Sequence, residues 1–475
     1  QYAYDANNRI ERIYFPSPST AHTYNAGDYE QYGYDAQANV VSRRMRTGEV
    51  IAMRYDPLNR LSVKDMPGSS ANDVYYSYDM VGDVLAARHG SAVGAGVVYS
   101  WDALGRKLTE TSYGRTVSSQ YDAAGNRTRM TYPDSNYVMY TYDRLNRMVE
   151  VWQNTSHTLV TYEHNADGRI SAIYNANGSA TYASYDDVSP FWDLTQAISD
   201  GANYVSMAMN YSAIGQMTDR SIGTSSYRYG VGSSNTTNYC PNGLNQYVAV
   251  GSGACPGAGT SYTYDARGNL TSNGTRSYVY DVENKLIQTT SGTAGTPTNW
   301  GAANWGAFQW SGAATSYLDY DPLSRLRQTA EASGTKQYLY DGDALVAEYD
   351  AGGTLLRRYV PGQGVDETLV WYEGGDLAYP NWLHTDEQGS VINTTDRYGD
   401  GHTPYVYGPF GEPSGGFASG GPAFRYTGQV QLAGLQLYYF KARMYDPALG
   451  RFFTDRSPRI QSRAKLFMPT SSTSK

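Results

Sequence analysis

The sequence predicts an all-β protein, a long antiparallel sheet built from repeated hairpins. Three observations predict it. The dipeptide Tyr-Asp recurs along the chain, at Tyr4-Asp5, Tyr34-Asp35, Tyr55-Asp56, Tyr78-Asp79, Tyr121-Asp122, Tyr142-Asp143, Tyr264-Asp265, Tyr280-Asp281, Tyr320-Asp321 and Tyr340-Asp341, with Trp101-Asp102 and Tyr162-Glu163 as variants. From Tyr34 to Tyr162 the steps are 21, 23, 23, 20, 21 and 20 residues, a period that marks one structural unit repeated. Tyrosine, 47 of 475 residues, comes in pairs two apart such as Tyr76/Tyr78 and Tyr140/Tyr142, which places both rings on one face of a strand.

Each repeat carries its own turn signal. In Ser261–Leu270 the strand ends at Tyr264, Asp265 opens a turn that its carboxylate can close, and Gly268 supplies a positive φ. The same grammar reads Asp122–Asn126 with Gly125, and Asp56–Arg60 and Asp321–Arg325 with a proline at 57 and 322, where a type I turn accepts its fixed φ. An apolar residue restarts the next strand, as at Leu61, Met148, Leu270 and Leu326. Neighbouring repeats are then expected to pair into one antiparallel sheet. So many tyrosine hydroxyls and so few aliphatics favour wet sheet faces over a sandwich filled with hydrocarbon.

Residues 1–375 read as the repeat array, irregular over 176–260 and interrupted over 288–316 by a Trp- and Gly-rich insertion with Trp300, Trp305, Phe308 and Trp310. Those aromatics suit packing on a neighbouring strand or a sugar-binding platform. Cys240 and Cys255 close a short stretch; a disulfide fits an extracytoplasmic location and two free thiols fit a reducing one. Residues 376–455 speak a different language, and 456–475 form a basic tail.

The net charge of −8, with no basic stretch before the tail, disfavours nucleic acid as a partner. No apolar run reaches the roughly 18–20 residues that span a bilayer. His22, His89, His157, His164, His384 and His402 are scattered without metal-ligand spacing, so neither a metal nor another cofactor is expected. The chain opens inside a repeat without an initiator methionine, which points to a longer polypeptide with shell region missing before Gln1.

The stretch 434–452, with Gly434, Leu435, Tyr438, Tyr439, Ala442, Arg443, Tyr445, Asp446, Pro447, Gly450, Arg451 and Phe452, resembles the core region of bacterial RHS-repeat, or YD-repeat, proteins. The preceding repeats, with Tyr55, Asp56, Tyr121, Asp122, Gly125, Tyr264, Asp265 and Gly268 as signature residues, resemble the same family. The resemblance implies a hollow, cocoon-like β-shell closed by a C-terminal core or plug domain. It implies a toxin scaffold that encloses a C-terminal polypeptide, released inside by an aspartyl autoprotease of the core domain. The alternative it leaves open is a secreted or cell-surface structural protein of a bacterium that adheres to glycans or self-associates through open sheet edges.

One departure bears on chemistry. Asp455 stands where such proteins carry a first aspartate, but Arg456 follows in place of proline and no carboxylate comes after it. An aspartyl protease needs two carboxylates sharing a proton. Asp446 reads as a turn residue, so Asp455 is the one remnant candidate. The expectation is a shell without autoproteolysis, without a C-terminal effector and without enzymatic activity.

Overall fold

A computed structural model describes residues 1–17, 20, 22–185, 194–199, 204–212, 214, 216–230, 236–255, 259–292, 314–418 and 420–454. The four aromatics of the insertion, Asp455 and the basic tail lie outside the described residues. Two compact units are present, one of Gln1–Trp101, Gly232–Ala332 and Phe452–Lys475, the other of Asp102–Val231 and Ser333–Arg451. Among the described residues there is no α-helix; strands dominate, with 3₁₀ turns at Ser70–Asn72, Ser225–Tyr227 and Tyr426–Gly428.

Each turn is closed by its aspartate. The Asp56 amide donates to the Arg60 carbonyl at 2.9 Å and the Asn59 amide to the Asp56 carbonyl at 2.9 Å. One carboxylate oxygen accepts the amides of Leu58 and Arg60, both at 2.9 Å, and the other accepts Arg60 Nε at 2.7 Å. The fourth residue of the turn takes a left-handed conformation, with φ of 59° at Asn59, 92° at Gly125 and 88° at Gly268. Asparagine and glycine are the residues that enter this region at least cost.

At these Tyr-Asp turns the return strand gains one residue. Arg54 pairs with Val63 but Tyr55 with Leu61, and the same shift recurs at Tyr34/Val40, Tyr78/Val84, Tyr142/Met148, Tyr280/Leu286 and Tyr320/Leu326. A bulge of this kind follows from a type I turn ending in a left-handed residue. It re-aims the ring of the Tyr-Asp tyrosine toward the preceding hairpin. There the hydroxyl donates to the backbone carbonyl that opens the earlier return strand: Tyr34 to Ile10 at 2.8 Å, Tyr55 to Val40 at 2.9 Å, Tyr78 to Leu61 at 2.8 Å, Tyr121 to Lys107 at 2.9 Å, Tyr142 to Arg127 at 2.9 Å and Tyr280 to Leu270 at 2.7 Å. Trp101 substitutes its indole N–H, bonded to the Val84 carbonyl at 2.8 Å. These hydroxyls, which argued for wet faces, are thus satisfied by the protein's own backbone.

In the second unit one sheet face is dry. Val117, Met130, Val138, Val151 and Val160 pack with Leu339, Val346, Val360, Val370 and Trp382, and the Trp382 indole N–H bonds the Leu159 carbonyl at 2.9 Å. The expectation of sheets wet on both faces is corrected for this unit. Alternation along the strands puts valine and methionine inward, while Thr111, Ser118, Gln120, Arg129 and Thr131 occupy the intervening positions. In the first unit, Lys64 reaches Glu283 at 2.9 Å, the Arg46 guanidinium donates to the Arg267 carbonyl at 2.7 Å, and Tyr278 stacks on Phe453 with ring centroids 4.6 Å apart.

Cys240 and Cys255 are joined in a disulfide, with Cα atoms 5.5 Å apart and Cys240 buried. Closing a loop of this length stabilises by about 3 kcal/mol when chain entropy dominates. Cys240→Ser with Cys255→Ser is expected to expose residues 236–262 to limited proteolysis while leaving cleavage elsewhere unchanged.

The inter-repeat bond gives a second test. Tyr142→Phe removes the donor to the Arg127 carbonyl and should cost about 1 kcal/mol, read as a lower denaturant midpoint. Tyr174→Phe, whose hydroxyl bonds an exposed Glu163 instead, should be close to neutral.

Candidate functional site

The geometry of the turn aspartates assigns them to structure. Asp143 is held down to about 2 by the Arg147 amide and guanidinium and by the Leu145 amide. Asp56, Asp102 and Asp122 are lowered by the same in-turn donors. A carboxylate surrounded by donors and kept ionised is a poor proton donor and a poor base. Tyr55 and Asp56 line an open groove of about 510 Å³ between consecutive turns, together with Asp35, Val41 and Met53. Both of its aspartates are engaged in their own turns.

Successive turns are linked in two ways. Where arginine stands four residues after the aspartate it reaches the next turn: Arg60 to the Asp79 carbonyl at 2.6 Å and Arg106 to the Asp122 carbonyl at 2.8 Å, each guanidinium lying over the next tyrosine ring. Where asparagine stands there it bonds the asparagine of the next turn, as in Asn39–Asn59 at 3.0 Å, Asn126–Asn146 at 3.0 Å and Asn269–Asn284 at 2.9 Å.

Asp341 breaks the pattern. Leu345 occupies its fourth following position and offers no donor, so the carboxylate turns to Lys107, at 2.6 Å, and to Arg127. Lys107 also meets the buried Glu110 at 2.7 Å, which accepts the Gly342 amide at 2.8 Å. Burial pushes the Asp341 carboxyl up, and the positive charges of Arg127 and Lys107 outweigh it, holding the group below the ordinary range. Its stabilising contribution is therefore present above the unfolded value near 4 and is lost as pH falls well below it. The apolar residue at 345 is the one local sign of this cluster in the sequence.

The 376–454 segment holds a second polar set. His384 is fully buried with Nε2 3.1 Å from the Thr395 hydroxyl, Asn393 donates to the Tyr227 hydroxyl at 2.8 Å, and Tyr407 donates to the Val391 carbonyl at 2.6 Å. Arg220 bridges Asp386 at 3.1 Å and Glu387 at 2.7 Å. Burial, then the Glu387 charge, pushes Asp386 up to about 6. Its turn is the repeat turn again, with the amides of Gln388 and Ser390 on Oδ1 at 3.0 and 2.8 Å.

The core signature residues serve packing and turns. Leu435, Tyr438 and Tyr439 are buried; Tyr438 donates to the Gly411 carbonyl at 3.0 Å and Tyr445 to the Phe410 carbonyl at 2.9 Å. Asp446 is buried and accepts the Ala448 amide at 2.9 Å; the Gly450 amide donates to the Pro447 carbonyl at 3.2 Å. Gly450 has φ of 63°, and a Cβ there would stand 3.0 Å from the Phe410 ring. Gly434, Ala442, Arg443 and Arg451 lie in the same short-stranded segment, and Phe452 follows it. Asp455, the remnant protease candidate, is outside the described residues. Among the described residues no cluster of three or more His, Cys, Asp or Glu side chains could hold a metal ion. No helix is long and apolar enough to cross a membrane.

A family model for the RHS repeat matches residues 101–137 and 121–151, a stretch that holds the Trp101-Asp102, Tyr121-Asp122 and Tyr142-Asp143 turns. Residues 101–151 carry RHS repeats. The tRNA3(Ser)-specific nuclease WapA of Bacillus spizizenii is 25% identical over 356 residues, which is 66% of this chain and 14% of that relative. The tRNA nuclease WapA of Bacillus subtilis is 24% identical over the same shares. The chain thus spans about a seventh of the length of the curated relatives it matches. Among solved structures, TcdB2-TccC3-TEV is similar with a TM-score of 0.65 and 13% identity over 95% of this chain and 27% of that one. TcdB2-TccC3-Cdc42 is similar with a TM-score of 0.64 and 13% identity over 96% and 28%. At that identity the likeness establishes the fold alone, the antiparallel β fold expected from the repeats.

The expectation that the protein is no enzyme is overturned, because the curated relatives are named tRNA nucleases. It rested on the degenerate protease motif at Asp455, which has no bearing on a nuclease activity.

Asp341→Asn would leave Lys107 and Arg127 facing a neutral amide in a buried site. The expected loss is about 3–5 kcal/mol, read by thermal or denaturant melting, because an unpaired buried charge costs more than its pair contributes. A loss under ~1 kcal/mol would show that the site is wetter than its geometry indicates.

Proposed function

We propose that this chain is the RHS-repeat shell segment of a bacterial toxin polypeptide, and that the shell encloses another part of the same polypeptide. The observation that carries the reading is the likeness of 95% of the chain to the TcdB2-TccC3 structures together with the matched RHS repeats. The physical design is consistent with it. Hydrogen bonds that reach only the adjacent hairpin build a wall of any length, and a wall needs no active-site cleft of its own. The core segment 376–455, with its buried tyrosines and tight turns, is proposed as the closing element. The relatives' names suggest that the whole polypeptide acts on tRNA. The Cys240–Cys255 disulfide supports folding outside a reducing cytoplasm, secreted or at the cell surface.

The test uses the longer polypeptide that contains this stretch. The enclosed segment is expected to be cut by added protease much more slowly within the intact polypeptide than when expressed alone. Equal rates would sink the enclosure. Failure of the polypeptide to cleave tRNA in both its intact and its released form would sink the proposed substrate.

A further inference from the structure

His89 ends strand Val84–His89 in the first unit, and its surroundings are unlike those of an exposed histidine. The ring is largely buried against hairpin Thr315–Tyr320 and Leu326–Glu331, more than two hundred residues away in sequence. Nε2 lies 3.3 Å from the Tyr320 carbonyl, so the neutral ring carries its proton there. Nδ1 is buried and has no hydrogen-bond partner. A charged imidazole would place a second N–H at that position, buried and unmet. Removing such a group from water without a partner is costly.

The charged neighbours do not offset this cost. Asp319 and Asp321 face the ring from the hairpin, and Lys285 faces it from the adjoining turn. Asp321 is already bonded to Arg325 at 2.8 Å and Asp319 to Arg327 at 2.6 Å. Lys285 adds a positive charge, itself 3.0 Å from Glu283. Tyr76, on the neighbouring strand, is also buried among Glu283, Lys285 and Asp321 and is pushed up by that burial.

We propose that His89 is a mild-acid latch on the first unit, whose charging loosens the seam between strand Val84–His89 and the 315–331 hairpin. Burial lowers the affinity of His89 for its proton below the ordinary 6.5, with the Tyr320 carbonyl and the two aspartates opposing. The sign follows from that direction. A histidine held neutral in the folded state contributes its stability fully above about 6.5 and loses it as pH falls through the lower folded value. Opening of the seam is then expected to grow up to about tenfold per pH unit across that interval. The latch is a property of the fold and does not rest on the proposed toxin role.

Hydrogen exchange of the whole chain at pH 7.5 and pH 5.5, corrected for intrinsic rates, reads the seam directly. Peptides covering 84–96 and 315–331 should exchange about tenfold faster at the lower pH, while peptides from the dry core around Val151 and Val360 hold their protection. His89→Gln keeps an N–H for the Tyr320 carbonyl and cannot charge, so it should retain protection at both pH values. His164→Gln, at a half-buried position in the second unit, should respond as the unsubstituted chain does. An unchanged seam at pH 5.5, or an acid response that persists in His89→Gln, would overturn the proposal. Should His89→Gln fail to fold, carbon-detected titration of the histidines in the unsubstituted chain decides: a His89 midpoint below 6.5 supports the latch, and one at or above it refutes it.

Discussion

The hydrogen bonds gathered by the turn aspartate set the geometry on which the rest of this chain depends. One carboxylate accepts two backbone amides and one side-chain donor within five residues, so the turn is fixed before any long-range contact forms. Its left-handed fourth residue forces the bulge, and the bulge aims the tyrosine at the hairpin behind it. Sheet register follows from a local interaction. That matters because a one-residue slip would turn every inward valine outward.

What the sequence made legible is what is encoded locally. Tyr55-Asp56, Tyr121-Asp122 with Gly125, and Tyr264-Asp265 with Gly268 all sit in the turns expected of them, since aspartate, glycine and asparagine act on backbone within a few residues. The bulge was not legible, because it depends on which amide faces which carbonyl rather than on a residue type. Nor was the dry face of the second unit. Its valines are spaced two apart among tyrosines, and tyrosine reads as polar until its hydroxyl is seen bonded to the neighbouring backbone.

The candidate sites divide the same way. Asp446 was readable as a turn residue from Pro447 and Gly450. The bridge from Arg220 to Asp386 spans 166 residues and has no local signature. Asp341 lies between these cases: its lack of a donor at Leu345 is visible, but the identity of the two cations that replace it is not. His89 belongs with the unreadable ones, for an isolated histidine at a strand end says nothing of what covers it.

The two styles of link between turns have a consequence for how such a gene changes length. Arginine reaching the next carbonyl and asparagine reaching the next asparagine both contact only the adjacent repeat. A hairpin copied or deleted whole by recombination leaves joints of the same chemistry on either side of the scar. What such a change does disturb is the pairing with hairpins far away in sequence, as between Lys107 and Asp341 or between the Trp382 indole and the Leu159 carbonyl. The array can change length in steps of about twenty residues wherever those distant partners are kept.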